Sequence, residues 1–471
     1  MVALNTKAGF SFLSRQCRVC VFVAMVCAFQ GGELLSQHDL DDELRTVLEE
    51  QGVDVPDSGL PAEPDADLIL LGQALFFDRE LSGNRDISCA TCHHPGLATG
   101  DGLSLPIGTG AAIPGLLGPL REKGHDREFI PRNAPEIFNR GSRLWISQFW
   151  DSRVAETNEV RHDGSPLIDS PAGSDLPEGL PNVLAAQAMF PVTSRDEMRG
   201  AITDDNEIAA IDDDDFTGIW QALVDRLLAI PSYRAMFRES FDLEDEELEE
   251  SIGFEHAAIA IATFETEAFT FLDSPFDEYL SGDDHALSTP QKRGALLFYG
   301  KAQCSNCHSG PLLTDQRHHN LLVPHLGPGK VKDVDIAIDP GRTLVNLNTE
   351  DLFRFRTPPL RNITETGPYM HNGAYADLEE AVRHHLNTIV ALATYNPDEQ
   401  IDQVELLDTV VYEHAEASIP GDLEPPEESL TKNEIKDLMK FLSSLTAPRL
   451  HQRLEATVPD SVPSGLPLDD F

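Results

Sequence analysis

The sequence predicts a mainly α-helical protein of two domains built on one plan and joined by long irregular loops. Three observations carry this. The order C-x-x-C-H occurs twice, as "CATCH" (89–93) and "CSNCH" (304–308). Each copy follows an apolar stretch of helical spacing, "DLILLGQALFFD" (67–78) and "LSTPQKRGALLFYG" (287–300). No sustained period-2 alternation runs along the chain, whereas 33 glycines and 32 prolines punctuate what lies between the helices.

Taken in order, the chain opens with Lys7, Arg15 and Arg18 ahead of the apolar run "VCVFVAMVCAF" (19–29), which is too short to cross a bilayer comfortably. Residues 1–30 therefore read as a signal peptide, with a retained N-terminal anchor as the alternative, and the mature protein is expected in the periplasm. Residues 31–65 are polar and acidic with scattered Pro and Gly, an irregular segment leading into the first domain. That domain is expected over 66–272. Its first helix should end near "LSGNRD", just before the first C-x-x-C-H. Asp151 to Pro181, rich in Pro, Gly and Ser, reads as an inserted surface loop. The strongly helical "IGFEHAAIAIATFETEAFTFL" (252–272) should lead into the second domain, expected over 273–450, with 451–471 as a tail.

In the second domain "DLEEAVRHHLNTIV" (377–390) reads as a helix with Asp377 as N-cap and Glu380 completing a capping box. Leu378, Ala381, Val382, His385 and Leu386 then fall on one stripe, with His384 off it.

The 471 residues, 41% of them hydrophobic, suffice for two or three domains with a sizeable core. Lys and Arg number 35 against 80 Asp and Glu, a net charge of −45, concentrated in "TDDNEIAAIDDDDF" (203–216) and "DLEDEELEE" (242–250). Nucleic acid and anionic membrane surfaces are poor partners for such a molecule. A solvated surface accounts for the charge, and steering of a basic electron-donor protein is the functional alternative.

Of seven cysteines, Cys17, Cys20 and Cys27 lie in the leader, and the other four, Cys89, Cys92, Cys304 and Cys307, all belong to C-x-x-C-H. No disulfide framework is left to build. In this motif each sulfur can add to a haem vinyl group, and the adjacent histidine can ligate the iron. A zinc site or a thioredoxin-type redox pair uses the same residue types. Two copies, export and the lack of other cysteines favour two covalently bound haem c groups, with His93 and His308 as proximal ligands. The fold expected is thus a pair of cytochrome c-like haem domains. His94, next to a proximal ligand, cannot reach the opposite iron face and reads as a surface or propionate-neighbour residue.

Function turns on the sixth ligands, because an iron with two protein ligands relays electrons and an open iron binds small oxidants. For the second haem His385 is the candidate, with Met370 in "GPYMHNG" as rival. For the first, "PGLATGDGLSLPIGTGAAIPGLLGPL" after the motif holds no His, Met, Cys or Tyr. Unless His125 or a distant residue swings in, that iron keeps an open face. Peroxide cleavage there needs an acid/base group. Glu197 in "PVTSRDEMRG" is a candidate, though by spacing alone it is one acid among many.

These residues resemble the bacterial di-haem cytochrome c peroxidase family, which includes the methylamine-utilisation (MauG-type) enzymes, over roughly 65–446. The resemblance rests on ordered motifs: "LGQALFFDRELSGNRDISCATCH", "PRNAP" (131–135), "FWDSR" (149–153), "QAMFPVTSRDEM" (187–198), "DPGRTLVNL" (339–347) and "FRTPPLRNITETGPYMHNGAYADLEEAV". It implies that His93 binds the peroxide-reactive haem and His308 an electron-storing haem. Trp150 resembles the tryptophan between the haems. Gln187, Pro191 and Glu197 match distal-pocket residues, with Glu197 as acid/base. Asn133, Thr366 and Pro368 match positions that hold a calcium ion. Where reductively activated relatives carry a displaceable histidine in a Gly-His-Gly context, this chain has "IGTG" with Thr109, implying a five-coordinate first iron. Where the family places Met or Tyr on the second haem, His385 stands, implying a lower potential than Met would give. The loop between Trp150 and Gln187 is longer than expected.

The expected activity is reduction of hydrogen peroxide to water with electrons from a small donor protein, a cytochrome c or cupredoxin. The alternatives are a MauG-like oxidase acting on a protein or organic substrate, which the missing first-haem histidine favours, and a non-catalytic electron-relay cytochrome. The oligomeric state is open, with room for a homodimer.

Overall fold

The computed structural model describes residues 37–63, 65–161, 164, 166–331, 338–412 and 429–469; the expected signal peptide lies outside them. The chain is mainly helical with little sheet. Among the described residues no helix is long and apolar enough to cross a membrane.

Two helix pairs repeat one arrangement. Ala66–Phe77 starts at Asp65, whose side chain accepts the Leu68 N–H at 3.0 Å, a standard N-cap. It crosses Phe254–Ala268 at Gly72, where an added Cβ would lie 1.9 Å from the Ala260 carbonyl oxygen. In the second half Thr289–Tyr299 crosses Lys432–Ser443 at Gly294, where a Cβ would lie 2.0 Å from the Asp437 carbonyl oxygen. Both crossings therefore require glycine for close backbone approach. Phe76, Phe77, Phe264 and Phe269 interlock across the first pair, and Phe276, Phe298 and Phe441 across the second. Each such ring, fully buried, contributes about 1.5–3 kcal/mol relative to exposure.

Three sequence expectations are corrected. The irregular segment 31–65 carries a helix, Gln37–Glu50. Its Leu44 and Leu48 pack into the second core, not the first. Asp41 anchors it there, accepting from the Tyr279 hydroxyl and pairing with the fully buried Lys292 ammonium at 2.5 Å. A leucine stripe at 40, 44 and 48 foretold this, but the surrounding acidic residues hid it.

The loop from Asp151 contains two strands, Val154–Val160 and Pro166–Asp169, which with Ser147–Gln148 form a three-stranded antiparallel sheet. Val154 is buried and the last three residues of its strand are exposed, so burial does not alternate along it.

The 377–390 helix is two: Leu378–Leu386, capped by Asp377, and Thr388–Thr394, with Asn387 between them.

The tail is ordered. After the helix Leu450–Glu455 it returns to the first half of the chain, where Thr457 O accepts from Gln73 and Ser464 donates to the buried Asp78 at 2.7 Å. Asp469 pairs with Arg79 at 2.7 Å and accepts from Thr91 and Ser88, the residues that cap the first C-x-x-C turn.

Loops from the two halves interlock near Trp150. Arg132 pairs with Asp151 and Asp339, Arg342 donates to the Asp151 and Ser152 carbonyls, and Ser104 donates to the Gly373 carbonyl.

Candidate functional site: two haem-binding clefts

The paired motifs adopt matching local structures. Cys89–Cys92 is one turn of helix, and Cys304–Asn306 is a 3-10 turn. His93 Nδ1 lies 3.2 Å from Thr99 O and His308 Nδ1 3.2 Å from Leu313 O. A proton on Nδ1 donated to a carbonyl leaves Nε2 as the free lone pair, the tautomer a metal needs. Burial lowers both imidazoles to about 4, keeping them neutral. All four cysteines are free, and burial pushes the Cys89 and Cys304 thiols up to about 12 and Cys92 higher still. Such thiols are poor redox nucleophiles, which argues against a thioredoxin-type pair.

His93 opens on a largely apolar cleft, and Trp150, Gln187, Pro191 and Glu197 line the same cleft. Residues far apart in sequence are brought together there by short elements. Gln187 ends Val183–Ala188, which Asn182 caps; Pro191 starts a 3-10 turn; Glu197 sits in a π-helical turn, Arg195–Arg199. Single π turns recur at functional sites because they push one side chain out of helical register. Burial raises the Glu197 carboxyl above its ordinary value, while Arg153 and Lys330 oppose the shift, as does a hydrogen bond with Ser194.

Trp150 donates Nε1–H to Asn133 O at 3.0 Å and accepts the Arg356 N–H at 2.7 Å. Arg356 stands two residues before Pro358, whose carbonyl faces the His308 ring. A short covalent and hydrogen-bonded route thus joins the two clefts. His125 is 93% exposed and pairs with Asp126, so it does not approach the first cleft. Met198 and Lys330 do reach its wall. Neither was found from sequence: Met198 was eclipsed by Glu197, and Lys330 arrives from the second half of the chain.

The cleft suits haem on independent grounds. Arg140 Nη1, Arg356 Nη1 and Gln148 Nε2 line it, are buried and have no partner within the described protein. Buried guanidinium N–H groups are seldom left unpaired, and haem propionates are carboxylates of the needed charge.

In the second cleft the His308 and His385 rings face each other with centroids 6.3 Å apart. Two metal–nitrogen bonds of about 2 Å plus the two ring radii fill that gap. His385 Nδ1 is 2.8 Å from Ala381 O, again leaving Nε2 free. The stripe reading needs correction, however. His384 is the fully buried histidine, taking the Tyr375 hydroxyl at 2.7 Å and reaching Leu321 O, whereas His385 opens on the cleft. Two faces of the short helix are covered, one by protein and one by the cleft. Met370 packs against Val323, Tyr375 and Ala381. His94 is not the surface residue that one of its two readings gave: it is buried, with Nδ1 accepting the Gly96 N–H at 3.0 Å.

Asn133 Nδ2 donates to Leu103 O at 2.9 Å, and its own N–H donates to His371 O, which ties it to the loop carrying Thr366 and Pro368. Thr109 is buried, its hydroxyl on Asp86 and its N–H on Glu197 O at 2.8 Å.

Paired C-x-x-C-H turns, ligand-ready histidines and a cleft with partnerless buried guanidinium nitrogens define a di-haem c-type oxidoreductase. Comparison with known proteins identifies which kind. Residues 66–285 match the model of the di-haem cytochrome c peroxidase family (CCP_MauG). The chain is 31% identical over 322 residues to the methylamine utilization protein MauG of Methylorubrum extorquens, covering 68% of each. It is also 31% identical over 319 residues to the cytochrome c551 peroxidase of Pseudomonas aeruginosa, covering 66% of this chain and 69% of the relative. In fold it is similar to a MauG-like protein associated with microbial copper homeostasis (TM-score 0.55, 24% identity, 87% of this chain and 97% of that one). The diheme peroxidase BthA of Burkholderia thailandensis gives a TM-score of 0.53 at 21% identity, over 89% and 94% of the two chains. The chain belongs to the di-haem cytochrome c peroxidase family.

Proposed function

We propose that the protein is an exported, periplasmic di-haem peroxidase with two cytochrome c-like domains, reducing hydrogen peroxide to water with electrons from a small donor protein. The convergence of Glu197, Gln187 and Trp150 on the His93 cleft carries this reading. His93 would hold one haem, whose iron would supply the peroxide chemistry, and His308 with His385 would hold a second, which would supply an electron store.

The chain's own residues then have defined tasks. Glu197 takes the proton from the inner peroxide oxygen and returns it to the outer one, which leaves as water; a carboxyl with a raised pKa both accepts and releases that proton readily. Two electrons and two protons convert one peroxide to two waters. Gln187 and Pro191 shape the wall beside Glu197. Arg140 and Arg356 would receive the propionates, and the Arg356 N–H bonded to the Trp150 carbonyl supports a role for the tryptophan in electron transfer. Asn133, Thr366 and Pro368 would hold a calcium ion between the two loops.

The second reading, a MauG-like oxidase of a protein or organic substrate, draws support from Thr109, which stands where a displaceable histidine would close the first iron. The spectrum of the resting mature protein and its reaction with peroxide test the proposal. A high-spin ferric signal and peroxide-dependent oxidation of a reduced small cytochrome c are expected. Two low-spin haems inert to peroxide would leave only electron relay. Peroxide reactivity without cytochrome oxidation would select the MauG-like reading.

A further inference from the structure

Glu197 acts only if its turn is held in place, and this chain holds it through two neighbouring segments. Two segments grip the Arg195–Arg199 turn from opposite sides. Gly83 donates its N–H to Met198 O at 2.8 Å, and Thr109 donates its N–H to Glu197 O at 2.8 Å. Both segments come too close for any side chain: a Cβ on Gly83 would lie 1.9 Å from Arg199 O, and one on Gly108 would lie 1.9 Å from Asp196 O. The grip is completed by side chains. Asp86 accepts the Thr109 hydroxyl at 2.7 Å and the Gly110 N–H at 2.6 Å. Asn84 donates to the Thr109 hydroxyl at 2.9 Å and to Asp204 at 2.8 Å. Asp204 in turn pairs with Arg127 and accepts the Ala201 N–H, and Asn206 donates to Asn84.

We propose that Asp86 and Thr109 are positioning residues for Glu197, clamping the 107–110 loop onto the π-helical turn so that the carboxyl is held toward the His93 cleft in the resting protein. The inference rests on the acid/base reading of Glu197 and extends it. Asp86 stands three residues before Cys89, so the clamp is continuous with the turn that tethers the haem. The Thr109 hydroxyl is committed on both sides, accepting from Asn84 and donating to Asp86. The loop therefore has one hydrogen-bonded arrangement available to it, and charge-assisted bonds to a half-buried carboxylate are the strong kind.

The test uses the holoprotein with Thr109→Val, which is near-isosteric and keeps the backbone N–H, against Thr109→Ser, which keeps the hydroxyl. Amide hydrogen exchange is read over 107–110 and 195–200, with 289–299 in the second half as control. Exchange in both gripped segments should rise about tenfold in the Val variant and in Asp86→Asn, stay near wild type in the Ser variant, and stay unchanged in the control. The peroxide rate should fall about tenfold in the Val variant and be restored in the Ser variant, because small misplacement of an acid/base group is costly. Equal exchange and equal rates in the Val and Ser variants would overturn the proposal. Glu197→Gln serves as the reference: if it keeps full turnover the acid/base reading falls on its own, and the exchange data still decide whether the clamp exists.

Discussion

Replacing Glu197 by Gln removes the proton carrier while keeping the shape of the side chain. The turn is gripped through backbone groups of Glu197 and Met198, so the substitution leaves its position intact. What is lost is the transfer of a proton between the two peroxide oxygens, for which positioned acid/base groups contribute about 10²–10⁴ in rate. At about 1.4 kcal/mol per decade this is roughly 3–5.5 kcal/mol of transition-state stabilisation. The pH dependence gives an independent check. Burial raises the carboxyl above its ordinary value, so the wild-type peroxide rate should fall as pH drops through that raised value, where the base becomes protonated. The Gln variant should lose this limb. Arg153 and Lys330 favour the carboxylate, so Arg153→Leu should move the limb to higher pH. Stopped-flow mixing of the resting protein with peroxide between pH 4 and 9 measures all three, conditions set on the order of the carboxylate range. A Gln variant that keeps most of its rate and its acid limb would refute the assignment.

Three further outcomes follow from the same geometry. His385→Gly should alter only the second haem's spectrum, and Met370→Leu should leave both haems unchanged; the reverse pattern would transfer the sixth-ligand role to Met370. Asp469→Ala leaves Arg79 buried without its carboxylate and strips the acceptor from Thr91 and Ser88, so the first half should lose about 3–5 kcal/mol in denaturant unfolding, while a loss below about 1 kcal/mol would show the tail to be ornamental. Asp315, followed by the Cys307 sulfur, raises the His319 imidazole from its ordinary value to about 9. The pair's stabilisation is therefore complete below about 6.5, where His is protonated folded or unfolded, and is lost as pH rises through 9. Melting temperatures across that window should fall in the wild type and flatten in Asp315→Asn.

The comparison between sequence and structure divides along a physical line. Whatever depends on residues near each other in the chain was legible without coordinates: the C-x-x-C-H tethers, the helix before each and the Asp377 cap. Local spacing sets those features, because a turn or a cap closes within a few residues. Even locally, a weak amphipathic signal failed where polar residues crowded it, as in the Gln37–Glu50 helix.

What the sequence could not decide is where distant surfaces meet. Helical periodicity placed His385 on a buried stripe and left His384 out, yet the second half of the chain covers the His384 face with Tyr375 and Leu321 and leaves the His385 face to the cleft. Glu197 was one acid among many until the Gly83 and Thr109 segments closed on its turn, and Arg356 and Lys330 entered the first cleft only because loops of the second half cross over it. The tail's return to cap the first tether was equally invisible, since an aspartate near a chain end carries no sign of the arginine it will meet nearly four hundred residues earlier. Chain-local chemistry thus named the groups that bind and tether, and packing between distant segments chose which of them face the reacting atoms.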